Sequence, residues 1–467
     1  MYIKNNLVVK KNTFMTLFLL IGIFLITYDE KIINLELFFL SFILFIILTT
    51  VFLKIKDKYT PIIFFSVLFY GYSFSGIYFS FYENIYNARF FNEVSNQFYM
   101  SDFIVAMYSI IFGYLFFLLG SLISKKITIK SKNFDFNFIN FDSLFFRILL
   151  IILFIIGFIY WLYLSFTIAD GPIDLLSKIG IFHAILKEGI TTLPYHLSYI
   201  GSCLLFLIYL HKYNKIPLYV KIIIFLTFLM LVSKARLSAA VFYLASFFIM
   251  YAIYNKIKFD IKKIFYIILF FIFLGALYMM RFYSNMEYIG KKVEIPILEL
   301  LGILFFGRTN IGDLQSIVFS YLYTDDYGYL FGQSFFDFTR YWLNKSLFLD
   351  LHITSIGMRL KEVYFDHVSG APAPGIISEM ILNFGIFGIT FGMFFLGAIL
   401  QLFAKIVNPH KSLMNLFIYT KFLFLVLILP KVDSTVIQGF IWALLPIYLF
   451  IFTFIFIKTI LIKGHKR

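Results

Sequence analysis

The stretches RFYSNMEYIGKKVEIPILEL (281–300) and HVSGAPAP (367–374) bound the one long segment of this chain that is regularly punctuated by polar residues. On both sides of it the sequence is one apolar run after another. Reading 281–374 as a large loop therefore fixes the rest: residues 1–280 and 375–467 become transmembrane blocks on either side of it.

Composition supports that division. The 467 residues are 61% hydrophobic and 14% charged, whereas a water-soluble chain carries about 25% charged residues. Phe 66 and Tyr 33 add apolar bulk that no aqueous surface would cover. The net charge of +15 could suggest nucleic acid, but the placement of the charges fits membrane topology instead. Cys203 is the only cysteine, which excludes an intrachain disulfide and any cysteine-based metal site.

A spanning helix needs about 20 mostly apolar residues. On that criterion about twelve spans are expected, at 13–28, 33–53, 61–82, 102–123, 144–167, 191–210, 218–232, 237–254, 264–280, 375–404, 412–429 and 436–457. The first follows Lys4, Lys10 and Lys11 as a secretory signal would, but no small-residue cleavage pattern follows, so it is read as retained. With the N-terminus inside, the inner segments hold 23 Lys and Arg against seven in the short outer loops. This bias places both termini in the cytoplasm and 281–374 outside. No internal repeat of the kind found in many transporters is evident.

The loop itself is expected to be ordered. IPILELLGILFFG (295–307) is too short to span and fits a re-entrant or interfacial helix. FGQSFFDFTRYWLNKSLFLDLH (331–352) mixes aromatic and charged residues as an amphipathic surface helix does.

Arginine placement carries the most information about chemistry. The chain has eight, and six of them (Arg89, Arg236, Arg281, Arg308, Arg340 and Arg359) are external on this topology. Lysine serves almost everywhere that cytoplasmic charge alone is needed. The planar guanidinium fork binds phosphate or carboxylate oxygens two at a time and stays protonated. The loop holds eight basic and ten acidic residues, so individual arginines, rather than a general positive field, are the candidates. Salt bridges within the loop, such as Arg340 with Asp337, are the structural alternative.

Further candidates are scattered. GAPAPGIISEMILNFGIFGITFGMFFLG (370–397) opens the tenth expected span, and Glu379 and Asn383 lie four apart on one helix face. Glu379 fits either a general base or an arginine partner. Gly385, Gly388 and Gly392 form a small-residue stripe suited to close approach by another helix. His352 and His367 in the loop could take a proton from a hydroxyl near neutral pH. Lys421 sits near the middle of the eleventh expected span, where it either snorkels or faces a polar cavity. The acidic pairs Asp29-Glu30 and Asp325-Asp326 could hold Mg²⁺ or Mn²⁺, but no His/Cys cluster has metal-ligand spacing. The expected reading is metal-independent and cofactor-free.

With these residues in view, the chain resembles the Wzy-type O-antigen or oligosaccharide repeat-unit polymerases. The likeness rests on SKARLSAA (233–240) after an apolar span, the external loop with spaced arginines, and APAPGIISEMILNFGIFGITFGMFFLG leading into the next helix. It implies an all-α, GT-C-like glycosyltransferase in a bacterial inner membrane with a periplasmic active site. Donor and acceptor would be glycans on undecaprenyl diphosphate, with a chain-length regulator protein as a possible partner and no nucleic acid. It also implies that Arg236, Arg281, Arg308, Arg340 and Arg359, with Asn383, engage diphosphate and substrate, while His352 or Glu379 serves as base. An O-antigen ligase-like transferase, and a lipid-linked oligosaccharide flippase, are the alternatives.

Overall fold

The structure, a computed structural model, describes residues 35–81, 100–127, 144–168, 170–172, 193–233, 237–257, 314–336, 356–364, 374–434, 437 and 440. Among these the chain is helical and contains no strand. In order the helices are α1 (Leu35–Lys54), α2 (Pro61–Phe81), α3 (Met100–Lys126), α4 (Leu144–Ile168), α5 (Leu193–Tyr213), α6 (Leu218–Ser233) and α7 (Leu237–Tyr254). Two helices from the loop follow, α8 (Leu314–Tyr327) and α9 (Ile356–Tyr364). Then come α10 (Ile376–Phe387), a π-helical turn (Gly388–Gly392), α11 (Met393–Ile406) and α12 (Leu413–Ile428).

Each expected span that falls on described residues coincides with a helix, and 375–404 is broken into two. The expected spans at 13–28, 264–280 and 436–457 lie outside the described residues, apart from Ile437 and Phe440. Four helical stretches, Leu35–Lys54, Ser101–Lys126, Leu144–Thr167 and Ile376–Ile406, are long and apolar enough to cross a membrane. The described residues are thus those of an all-α, membrane-embedded protein.

The physical reason is visible on α4. Leu150, Leu153, Phe154, Trp161 and Leu164 are buried, yet the opposite face carries Ile148, Ile152, Ile155 and Ile159, at 42–60% exposure. A helix apolar all round suits a hydrocarbon surrounding, where a helix alone satisfies every backbone group within the segment.

The bundle is assembled from neighbouring pairs: α1 against α2, α4 against α5, and α3 against α11. Helix α12 packs on α2, α5 and α7 and so joins the two groups. The Phe65 and Phe117 rings stack at 3.8 Å between α2 and α3, and beside them the Ser66 and Tyr114 hydroxyls meet at 2.6 Å in the core. The α3–α11 crossing is closer than side chains would allow. A Cβ on Gly120 would lie 1.9 Å from Phe394 O, and one on Gly397 would lie 2.1 Å from Phe117 O.

The lysine-bearing connections gather at one end. The α1–α2 connection (55–59), Ile127 after α3, the end of α7 and the α11–α12 turn line one cavity. His211 near the end of α5 meets Tyr254 at the end of α7, with Nδ1 and the phenol oxygen 3.0 Å apart, so Lys212 in the last turn of α5 and Lys215 in the α5–α6 turn belong to the same end. At the opposite end, Ile376 N–H at the start of α10 donates to Leu429 O after α12 (3.3 Å), and Tyr72 OH donates to Pro430 O (2.6 Å).

Candidate functional site at a broken helix

At that opposite end, α10 begins with Gly375 in an extended conformation and carries Glu379 in its first turn, where the helix dipole favours a carboxylate. Every residue from Ile376 to Asn383 is buried. Glu379 has no exposed surface. Its Oε1 accepts from Ser334 Oγ (2.8 Å) and Ser434 Oγ (2.7 Å), and its Oε2 accepts from Ser434 N–H (2.5 Å). Asp433 is near enough to act on it electrostatically.

One turn later Asn383, also fully buried, donates from Nδ2 to Ser334 Oγ (2.6 Å) and to Glu379 O (2.8 Å). Its Oδ1 accepts from Gly332 N–H (2.8 Å). Ser334 is therefore shared by both side chains. The Ser378 hydroxyl beside them is buried and has no hydrogen-bond partner among the described residues.

The helix then breaks. Gly385 has φ 56 and ψ −133, a conformation that only glycine adopts readily. The break removes the helical partners of preceding carbonyls, which must be satisfied elsewhere. Leu330 N–H donates to Leu382 O (2.8 Å) and Phe331 N–H donates to Asn383 O (3.2 Å). Residues 330–334 of the large loop thus replace the missing turn. The stripe Gly385, Gly388 and Gly392 has a different role from the one expected. A Cβ on Gly388 would meet Met380 O at 2.0 Å and one on Gly392 would meet Met380 Sδ at 2.4 Å. These glycines fold the span onto its own first half, and the close approach to a second helix is made by Gly397.

No family model, curated protein or solved structure matches this chain.

Of the expected site residues, the structure brings Glu379 and Asn383 together. Arg359 lies half-buried on α9, which packs on α8, itself packed on α10. Arg236, Arg281, Arg308, Arg340 and His352 lie outside the described residues, as do His367 and the 295–307 segment. Of the expected surface helix 331–352, residues 331–336 are described; they form a turn that enters a helix at Ser334. Asp326 accepts from Tyr364 OH (2.9 Å) and so ties α8 to α9. Burial, and next the hydrogen bond to Asp326, push the Tyr364 phenol well above its usual range. Among the described residues no group of three His, Cys, Asp or Glu side chains is placed to hold a metal ion. The Lys421 ammonium sits over the Tyr199 ring, 2.8 Å from its centroid, a cation–π contact between α12 and α5.

Sequence reasoning missed α8, Ser334 and Ser434. Ser334 is embedded in an aromatic run and Ser434 follows a span end, so neither carries a local signal. The break had one: two glycines three apart, directly after a Glu/Asn pair in an otherwise apolar run.

As it stands, the arrangement locks a carboxylate. Both Glu379 oxygens are engaged by donors from two other segments, 334 and 434, and neither is presented to solvent. Its chemical effect is to fix the loop and the α12 exit on the half-helix.

Proposed function

We propose that this protein is a membrane glycosyltransferase that polymerises oligosaccharide repeat units carried on a lipid diphosphate, working at the membrane face opposite its lysine-rich end. The observation that carries this reading is the docking of loop residues 330–334 onto the broken helix α10, at the end away from the lysine connections. By the positive-inside rule the lysine end faces the cytoplasm. Residues 330–334, docked on the bundle at the other end, are then on the external side, and the four arginines of the loop are read as external with them.

In the reaction an acceptor hydroxyl attacks the anomeric carbon of the donor sugar. The bond from that carbon to the phosphate oxygen breaks, and the diphosphate leaves with the electron pair. Negative charge grows on the diphosphate, and fixed guanidinium groups meeting that charge lower the barrier by about 3–4 kcal/mol per donor. Arg236 and Arg281 lead this role, with Arg308, Arg340 and Arg359 behind them. Because Glu379 is enclosed by three donors, it positions the loop, and His352 takes the acceptor proton. Both lipid carriers are confined to the bilayer, which aligns the reactants.

The test is chain growth from purified lipid-diphosphate repeat units by the reconstituted full-length protein. Arg236→Ala and Arg281→Ala are expected to lower it by 10²-fold or more at normal expression, with lysine rescuing poorly for lack of a fork. Wild-type chain-length profiles in both variants would overturn the reading, and absence of any chain growth would favour a ligase or a flippase.

A further inference from the structure

At the lysine-bearing end, far from the broken helix, lies a cavity of about 1010 Å³. Its lining includes Lys56, Lys58, Lys256, Lys405, Lys411 and His410, against one acidic residue among the described residues, Asp57. Five formal positive charges against one negative, in a space shared by four connections, attract an anion. The volume far exceeds that of a bare phosphate.

Four of these lysines divide into two sets. Lys58 donates to Phe52 O and Ile55 O, closing the end of α1, and Lys405 donates to Ser124 O, Lys125 O and Ile127 O, closing α3. These two offset the negative ends of the helices that converge here. Asp57 is itself engaged, accepting from Tyr59 N–H (3.0 Å). Lys56 and Lys256 are exposed at the cavity.

Lys256 is held in an unusual way. Its φ is 51, in the left-handed region, at the close of α7, where glycine or asparagine is the usual occupant. Its N–H donates to Ile253 O (3.2 Å) and the next N–H, of Ile257, donates to Ala252 O (2.8 Å). A strained lysine at the rim of a basic cavity is an outlier that points toward function.

The cavity also adjoins the bilayer-facing surface. Leu119, Leu122, Ile123 and Ile127, at 46–50% exposure, run along α3 to the cavity, and Ile127 itself lines it. Leu53 and Ile257 continue the apolar wall inside.

We infer that this cavity binds a phosphate-bearing anion, and that the headgroup of an anionic membrane phospholipid is the source the geometry fits. The phosphate sits between Lys56 and Lys256, and an acyl chain follows the outward face of α3. Basic pockets between spans are a recognised way to hold such headgroups.

The experiment uses the full-length protein in neutral detergent and reads thermal unfolding and native mass spectrometry with added phosphatidylglycerol, phosphatidylcholine or inorganic phosphate. Phosphatidylglycerol is expected to raise Tm and remain bound, while phosphatidylcholine does neither. Lys56→Gln combined with Lys256→Asn, the asparagine chosen to suit the left-handed backbone, is expected to remove at least half of that rise. Lys361→Gln, remote on α9, is expected to leave it intact. A millimolar inorganic phosphate response that the double variant loses would support the same site with a soluble source. An undiminished rise in the double variant, or an equal rise from phosphatidylcholine, would overturn the proposal.

Discussion

Ser434 donates a hydrogen bond to Glu379 Oε1 at 2.7 Å although 55 residues separate them, so the exit of α12 is fastened to the first turn of α10. The same oxygen accepts from Ser334 of the loop. Three segments distant in sequence meet on one carboxylate, with Asn383 completing the cluster through Ser334.

Removing that carboxylate leaves buried donors without an acceptor. Each such loss costs about 1–3 kcal/mol, so Glu379→Ala is expected to destabilise the folded protein by about 3 kcal/mol. Glu379→Gln keeps an oxygen for Ser434 N–H and turns its amide toward the two serine hydroxyls, which can accept. Its cost is expected to be about 1 kcal/mol. Thermal unfolding in detergent, followed by tryptophan fluorescence, checks both. A catalytic base would reverse the pattern in activity, with glutamine as damaging to chain growth as alanine.

Gly385→Ala probes the break. Its φ of 56 with ψ −133 is closed to a residue with a Cβ, and that Cβ would also lie 2.8 Å from the Tyr329 hydroxyl. The backbone term alone costs about 1–3 kcal/mol. Gly385→Ala is therefore expected to lower the melting temperature clearly, and adding Tyr329→Ala is expected to leave most of the loss. Full rescue by Tyr329→Ala would show that the side-chain clash, not the backbone, dominates.

The helices were legible because hydrocarbon surroundings demand long apolar runs, and these begin and end within a few residues of the observed α1 to α7 and α12. The pairing of Glu379 with Asn383 was legible too, since a four-residue spacing on one helix fixes a shared face. Their partners were not. Ser334 and Ser434 reach Glu379 only through tertiary packing, and a serine beside aromatics looks the same whether it is idle or shared. The glycines were visible but ambiguous: small residues at helical spacing suit helix contact, and only the positive φ of Gly385 reveals a break.

The α3–α11 crossing supplies its own control. Gly120→Ala and Gly397→Ala each set a Cβ about 2 Å from a backbone oxygen of the other helix, which neither helix can yield without moving apart. Each is expected to cost at least about 3 kcal/mol, read as lost monodisperse protein after extraction. Gly113→Ala lies on the same helix, yet its nearest neighbours are side-chain carbons of Ile389, Met393 and Ile377 at 3.5–3.6 Å. That substitution is expected to be tolerated, and equal damage from all three would mean that crossing distance is not what the glycines set.

Lys405 tests whether a lysine at the basic end acts on the fold as well as on charge. Its ammonium reaches three carbonyls, Ser124 O at 2.9 Å, Lys125 O at 2.7 Å and Ile127 O at 2.6 Å, and so ties the end of α11 to the end of α3. Lys405→Met keeps the apolar stem and removes every donor, for an expected loss of about 2 kcal/mol. Lys405→Arg keeps the charge and offers five donors, so it is expected to recover more than half of that loss. Raising the salt concentration discriminates further. A purely electrostatic contribution fades over a Debye length of roughly 10 Å at 0.1 M, whereas donors seated on carbonyls persist. The gap in melting temperature between wild type and Lys405→Met should therefore survive 0.5 M salt, and a gap that closes would assign Lys405 to the field of the cavity alone.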